Sequence, residues 1–102
     1  MFYFCIYNNN GSFEWDENKN KANIEKHGLD FQDAPEVFLK RHITMESTRS
    51  RAEQRYITIG VCGYSAVAVV YTKRGETIRI ISFRRANRKE RRHLLWLLLD
   101  TQ

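Results

Sequence analysis

The sequence predicts an α+β fold with two N-terminal helices, an antiparallel sheet of three to four strands and a C-terminal helix. Three observations support this prediction. Capped helical patterns occupy residues 16–38, apolar and polar residues alternate with a period near two between residues 43 and 82, and a new helix start follows at Asn87. At 102 residues, 42% of them apolar, the chain can bury one core, so we expect a single domain over residues 1–102.

The first fifteen residues contain two extended stretches, 2–7 and 13–15. The NNNGS run between them favours a turn, so they form either two strands or one irregular arm. We treat residues 1–12 as an N-terminal extension. They lack the basic leader and the cleavage site of a signal peptide.

Two helices are expected next. Asp16 is a natural N-cap, and Lys26, His27 and Gly28 are typical of a helix end, so the first helix runs to about His27. A second, short helix is predicted from the capping-box spacing of Asp33 and Glu36, with Pro35 in its first turn.

Four candidate strands and a final helix follow. The strands cover Ile43 with Met45 and residues 55–61, 67–72 and 78–82, and glycines separate the last three as antiparallel hairpins require. Asn87 and Glu90 have capping-box spacing at the start of the last helix. Residues 94–99 are apolar around the whole helix, so one side packs on the sheet and another faces a partner; the run is too short to span a membrane.

The positive charge is concentrated late in the chain. Residues 73–92 hold nine of the 17 Lys and Arg residues and two acidic residues. This asymmetry indicates attraction to a polyanion, and the alternative is a solvated arginine-rich face. The two cysteines lack metal-ligand spacing, so we expect no metal, no cofactor and a reducing cytoplasm.

Two groups of residues resemble the BrnT family of bacterial toxins. The first is FEWD at 13–16 followed by Lys19, Asn23, KHG at 26–28, Phe31, Ala34 and Phe38. The second comprises Glu53, Arg55, Gly60, VVYT at 69–72, RIIS within 78–82, RRA at 84–86, and Glu90 with Arg91. The resemblance covers roughly residues 13–92, and the leucine-rich residues 94–99 depart from it.

The resemblance implies a metal-independent endoribonuclease of a type II toxin–antitoxin module, with a RelE-like fold. It further implies a cytoplasmic protein that inhibits translation and is neutralised by a BrnA-type antitoxin in a hetero-oligomer, which would contact DNA only through the antitoxin. Two alternatives are a non-catalytic nucleic-acid-binding regulator and a degenerate toxin that serves only as an antitoxin partner.

RNA cleavage through attack by a ribose 2′-hydroxyl needs a proton acceptor, a proton donor and cations that face the phosphoryl oxygens. Arg79, Arg84 and Arg85 are the candidate cations, since a guanidinium grips two phosphate oxygens. In a regular strand Arg79 and Arg85 share one face and Arg84 lies on the other, so all three could line one site only if the chain twists or bulges near Arg84. Arg79 and Arg85 are therefore the more coherent pair if the strand is regular. Alternatively, one of these arginines pairs with Glu53 or Asp16 to hold the fold.

His27 is the candidate acid or base because its pKa is ordinarily near neutral, although a Lys-His-Gly sequence also suits helix capping alone. Glu53 is either a general base or the partner of an arginine. The candidate RNA-binding residues are Lys26, Trp15, Tyr71, Arg88, Arg91 and Arg92. Core packing is the alternative for Trp15, and contact with the antitoxin is the alternative for the basic residues of the last helix.

Overall fold

The computed structural model describes residues 3–8, as backbone, together with residues 11–47 and 53–99. The strands are β1 (Tyr3–Asn8), β2 (Gly11–Asp16), β3 (Ile43–Ser47), β4 (Arg55–Cys62), β5 (Ser65–Arg74) and β6 (Thr77–Arg85). The helices are α1 (Glu17–His27), α2 (Pro35–Leu39) and α3 (Arg88–Leu99), with a 3₁₀ turn at Phe31–Asp33. The α+β class is confirmed, and the RelE-like assignment stays a prediction.

The strands form one mixed sheet in the order β1-β2-β6-β5-β4-β3. The predicted meander is confirmed, since β3 to β6 pair in sequence as antiparallel neighbours. The prediction of a purely antiparallel sheet of three to four strands is wrong. Two strands precede the helices, and β2 pairs in parallel with β6 through Ser12, Phe13 and Glu14. The described residues therefore supply six strands.

The boundaries of α1 agree with the sequence, but the capping of the second helix does not. Asp16 caps α1 by accepting a hydrogen bond from the Asn18 N–H at 2.8 Å, and Gly28 ends it. The predicted Asp33 capping box is wrong because Asp33 already lies inside the 3₁₀ turn. Asp30 caps that turn through the Gln32 N–H, and Ala34 precedes α2 without a side-chain cap.

A bulge in β6 changes which of its side chains share a face. Val70 of β5 pairs with Ser82 and Tyr71 pairs with Ile80, which leaves Ile81 as an extra residue. The alternation therefore shifts by one position at Ile81. Arg79 and Arg84 share one face of the sheet, and Arg85 lies on the other.

That shift makes the regular-strand pairing of Arg79 with Arg85 wrong. The pairing with β5 shows how the two arginines are placed: Thr72 lies opposite Arg79, and Val67 lies opposite Arg85. Residues directly opposite each other in a sheet point to the same side. Thr72 and Val67 are an odd number of residues apart on a strand, so they point to opposite sides, as do the two arginines.

Both faces of the sheet carry a hydrophobic core. On the face covered by α1 and α2, the buried cluster comprises Phe13, Trp15, Phe31, Ala34, Val37, Val67, Val69, Tyr71, Ile80 and Phe83. On the face covered by α3, a smaller cluster comprises Ile59, Ala68, Ala86 and Leu94. α3 packs against β3, β4 and β5.

The start of α3 is fixed by the predicted capping box, which is confirmed. The Glu90 N–H donates to Asn87 Oδ1 at 2.8 Å, and the Asn87 N–H donates to Glu90 Oε1 at 2.8 Å. Farther along, Leu95, Trp96, Leu98 and Leu99 are exposed. None of the helices described has the length and apolar character needed to cross a membrane.

Candidate functional site

A cationic cleft lies between α1 and the bulged part of β6. We call it the α1–β6 cleft; its lining is Lys19, Ala22, Asn23, Lys26, His27, Ile81 and Ser82. Lys19, Asn23, Lys26 and His27 are spaced at i, i+4, i+7 and i+8, so they form one stripe of α1. The exposed lysines lie on both sides of the buried Asn23 along that stripe.

Asn23 holds α1 against the open edge of β6. Its Nδ2 donates to the Phe83 carbonyl at 2.8 Å and to the Leu29 carbonyl at 3.0 Å, and its Oδ1 accepts from the Phe83 N–H at 3.2 Å. β2 pairs only with residues 77–79 of β6, so this side-chain amide satisfies backbone groups beyond that pairing. Asn20 acts similarly by accepting from the Phe31 N–H at 2.9 Å.

His27 lies half-exposed at the end of α1, on the rim of the cleft. Burial lowers the pKa of His27 from its usual value, and the nearby charges of Lys26 and Arg84 lower it further. The imidazole is therefore neutral at pH 7 and has a lone pair that can accept a proton.

The structure brings Arg85 to the same end of α1. Arg85 Nη1 donates to the His27 carbonyl at 3.5 Å, and its side chain is otherwise exposed. Among the described residues no carboxylate lies within ion-pair distance of it, so its charge is not neutralised locally. Lys26 and Arg85 thus place two positive charges beside the neutral imidazole of His27.

Arg79 lies on the same face of the sheet as α3, where β6 pairs with β2. Its Nη1 donates to Glu14 Oε2 at 2.8 Å in a largely buried ion pair. On the neighbouring strand, Thr72 donates to Glu53 Oε2 at 3.2 Å, and Glu53 forms a longer, exposed pair with Arg74 at 3.7 Å. Arg79 is therefore held by Glu14 rather than by Glu53 or Asp16.

Arg84 is held by the first turn of α3. Its two terminal nitrogens donate to the two oxygens of Glu90 at 2.7 and 3.0 Å. These hydrogen bonds lower the pKa of Glu90 and raise that of Arg84. Since Glu90 also closes the capping box with Asn87, this ion pair connects the last strand to the last helix.

The two aromatic candidates for base stacking lie in the core. Trp15 is 1% exposed and Tyr71 is 2% exposed. The Trp15 Nε1 donates to Glu17 Oε1 at 2.9 Å, and the Tyr71 hydroxyl contacts the Thr58 hydroxyl at 2.8 Å. Neither ring face is open to a nucleotide in this conformation, which favours the core-packing alternative for Trp15 and extends it to Tyr71.

The basic residues of α3 divide by their contacts. Arg91 donates to the Ala86 carbonyl at 2.7 Å and stabilises the helix start. Arg88, Lys89 and Arg92 are exposed, and no carboxylate of the described residues pairs with them. These three charges remain available to a polyanion or an acidic protein.

Sequence reasoning did not assign roles to Glu14, Lys19 or Ser82. The spacing of Lys19 from Lys26 is a signal that could have placed both on one helical stripe, whereas the Glu14 pair depends on the distant β2 and β6 pairing. In the described ranges, no group of three or more His, Cys, Asp or Glu side chains could hold a metal ion.

A comparison with known protein families covers the part of the chain that contains these residues. No curated protein matches the sequence. The model of one family, described as the ribonuclease toxin BrnT of type II toxin–antitoxin systems, matches residues 15–90, which include the α1–β6 cleft, Arg79 and the Arg84–Glu90 pair. Because this match spans about three quarters of the chain, the protein belongs to the BrnT family of ribonuclease toxins.

Proposed function

We propose that the protein is a metal-independent endoribonuclease whose reaction takes place at the rim of the α1–β6 cleft. The observation that carries the proposal is the position of His27 on the rim of the cleft, beside Lys26 and Arg85. Cleavage of RNA by its own 2′-hydroxyl requires this combination of a base and fixed positive charge.

In this mechanism His27 accepts the proton of the 2′-hydroxyl. The resulting oxygen attacks the neighbouring phosphorus, and the bond to the 5′-oxygen breaks as water supplies a proton to the leaving group. The products are a 2′,3′-cyclic phosphate and a 5′-hydroxyl. A general base of this kind contributes typically about 10²- to 10⁴-fold to a rate.

The cations bind the phosphate groups of the substrate. Arg85 is the candidate contact to the reacting phosphate, because its guanidinium is exposed and close to the end of α1. Lys26 and Lys19 lie along the same helical stripe and would hold phosphates on the adjoining nucleotides. Arg88 and Arg92 extend the positive surface onto α3.

Arg79, Arg84 and Glu53 have a supporting role in this proposal. Arg79 and Arg84 are already bound by Glu14 and Glu90, so a phosphate would have to compete with a carboxylate at either guanidinium. Arg84 instead acts through its charge, which helps to keep His27 neutral. Glu53 accepts a hydrogen bond from Thr72 and forms an ion pair with Arg74. Thr72 lies on the face of the sheet opposite to Arg85, so Glu53 is held away from Arg85.

The decisive experiment is cleavage of an end-labelled single-stranded RNA by the purified protein in excess EDTA. We expect fragments that end in 2′,3′-cyclic phosphate and begin with a 5′-hydroxyl. His27→Ala should lower the cleavage rate by about 10²- to 10⁴-fold, and Arg85→Ala should lower it by at least about tenfold. Circular dichroism of each variant checks that the fold is retained.

His93→Ala is the matched control, because His93 is exposed on α3 and should leave the rate unchanged. Full activity of His27→Ala, or products with 5′-phosphate ends, would contradict the proposed mechanism.

Membership in a type II toxin family implies an antitoxin protein as the partner. We propose that the partner is a BrnA-type antitoxin and that the free toxin inhibits translation by cutting RNA. The alternative of a non-catalytic binding module draws support from the exposed charges of Arg88, Lys89 and Arg92. Intact RNA after incubation, together with binding that weakens steeply with salt, would favour that alternative.

A further inference from the structure

The outward side of α3 carries a mixed stripe that is basic in its first half and apolar in its second. Arg88, Arg92, Leu95 and Leu99 follow the spacing i, i+4, i+7 and i+11, and Trp96 borders them. We call these five residues the α3 outer stripe. Glu90 and Leu94, the buried residues of the helix, point to the opposite side, toward the sheet.

The apolar half of this stripe is unusually open to solvent. Trp96 is 70% exposed, Leu99 is 61% exposed and Leu95 is 54% exposed, and the three line a shallow apolar hollow. Isolated exposed leucines are ordinary, but several large apolar side chains together on one helix face are typical of an interaction site. This half of the stripe would therefore bind an apolar surface.

The basic half specifies the charge of the occupant. Arg88 and Arg92 are exposed, and within residues 88–99 the acidic residue Glu90 is buried and held by Arg84. The stripe itself thus carries two positive charges and no negative charge. A complementary segment must place carboxylates near the start of α3 and apolar side chains near residues 95–99.

A second copy of the chain does not satisfy this pattern. If two copies of the stripe packed in parallel, the arginines would face each other, and if they packed antiparallel, the arginines would face leucines. Both arrangements leave four guanidinium groups in the interface without a carboxylate, which disfavours self-association. The pattern also differs from a membrane-surface helix, whose apolar side extends along its whole length.

We propose that the α3 outer stripe is a docking site for an acidic amphipathic helix of the antitoxin. The carboxylates of that helix would pair with Arg88 and Arg92, and its apolar residues would cover Leu95, Trp96 and Leu99. This inference rests on the proposed role of the chain as a toxin held by an antitoxin, but not on RNA cleavage itself.

The two tryptophans make the docking directly measurable. Trp15 is 1% exposed in the core and Trp96 lies in the stripe, so toxin labelled with 5-fluorotryptophan gives one buried and one exposed ¹⁹F reporter. On addition of the purified antitoxin encoded beside the toxin gene, we expect the Trp96 signal to shift and the Trp15 signal to stay. Trp96→Phe assigns the signal. An unchanged Trp96 signal in the saturated complex would overturn the proposal.

Calorimetric titration with the same antitoxin measures how much each half of the stripe contributes to the binding affinity. Leu95→Asp should weaken binding by at least tenfold, and the double variant Arg88→Glu and Arg92→Glu should do the same while reducing the salt dependence. Lys21→Glu, an exposed charge change on α1, is the control and should leave the affinity unchanged. Wild-type affinity in both stripe variants would overturn the proposal.

The other occupants have distinct outcomes. Concentration-dependent dimerisation of the free toxin that Leu95→Asp abolishes would assign the stripe to a second copy instead. A Trp96 shift on anionic vesicles but not on the antitoxin would assign it to a lipid surface. Since neither readout involves RNA, Leu95→Asp can remain an active ribonuclease, and loss of docking is distinguishable from failure of the proposed enzymatic activity.

Discussion

Opposing effects of the surrounding chain act on the protonation of the His27 imidazole. His27 ends α1, where the helix dipole favours a positive side chain, yet burial and the charges of Lys26 and Arg84 disfavour protonation. The second group of effects dominates, since the pKa of His27 is lowered. A pure capping role would be served better by an imidazolium, so the neutral form suits proton transfer.

Replacing Lys26 should raise the pKa of His27. Burial, the largest cause of the lowered pKa, remains in Lys26→Ala, but the next largest, repulsion by the Lys26 ammonium, is removed. The titration of His27 should therefore move upward, toward its usual value near 6.5. NMR titration of the three histidines, assigned by single replacements, measures this shift without reference to activity.

The pH dependence of cleavage should move in the same direction. As a general base His27 acts in its neutral form, so the rate rises as pH increases through its pKa. Wild-type cleavage should reach its plateau at a lower pH than Lys26→Ala. Lys21→Ala removes an exposed charge elsewhere on α1 and should shift neither curve. Identical titrations in all three proteins would contradict the electrostatic explanation.

At the scale of elements, polar side chains rather than apolar ones attach α1 to the sheet. Asn20 and Asn23 are the buried residues of this helix, and both hydrogen-bond to backbone groups outside it. The helix thereby stays close to the β6 edge while its lysines remain in solvent.

Asn23→Ala should strongly destabilise the fold. It leaves the Phe83 N–H and two carbonyls without their partner, and an unsatisfied buried group costs about 1–3 kcal/mol. We expect the free energy of unfolding, measured by urea denaturation, to fall by about 2–4 kcal/mol. Asn18→Ala, at an exposed position of the same helix, should change it by less than about 0.5 kcal/mol. Equal effects of the two replacements would refute this role for Asn23.

The junction between β6 and α3 should make stability sensitive to acid. Hydrogen bonds from Arg84 are the largest cause of the lowered pKa of Glu90, and a lowered pKa stabilises the fold where the carboxylate is ionised. That contribution is complete above the unfolded pKa of about 4.3 and is lost as pH falls through the lower folded pKa.

Glu90→Gln tests this junction because glutamine preserves the capping box and removes the charge. The variant should be less stable than wild type by about 1–3 kcal/mol at pH 7, and the difference should shrink below pH 4.3. Glu25→Gln, exposed on α1, is the matched control. If the difference in the free energy of unfolding between Glu90→Gln and wild type stays constant from pH 7 to pH 3, the ion pair does not contribute to stability.

For the whole molecule, contacts divide the basic residues of 73–92 into neutralised and available groups. The neutralised or occupied residues are Lys73, above the Tyr56 ring at 4.8 Å, Arg74, Arg79, Arg84 and Arg91. The remaining charges lie near the end of α1 and on the outer side of α3. The electrostatic attraction predicted from composition is therefore concentrated where we propose RNA and antitoxin contacts.

Local signals in the sequence predicted most of the elements. Asp16 with Gly28 and Asn87 with Glu90 define helix ends through neighbours a few residues away, and alternation located β3 to β6. The parallel pairing of β2 with β6 escaped prediction because Glu14 and Arg79 are 65 residues apart. Ile80 and the bulged Ile81 are both β-branched residues that suit a regular strand, so nothing local indicated that Arg79 and Arg85 would lie on opposite faces.

The order of the elements along the chain determines when the α1–β6 cleft can first form during synthesis. His27 leaves the ribosome long before Ile81 and Ser82, yet the cleft needs both sides, so a growing chain carries the base without the wall opposite it. α3 follows β6 after two residues. The complete cleft, where we propose that RNA is cut, and the helix that we propose as the antitoxin site therefore emerge almost together. The antitoxin would then find its binding surface as soon as the cleft is complete.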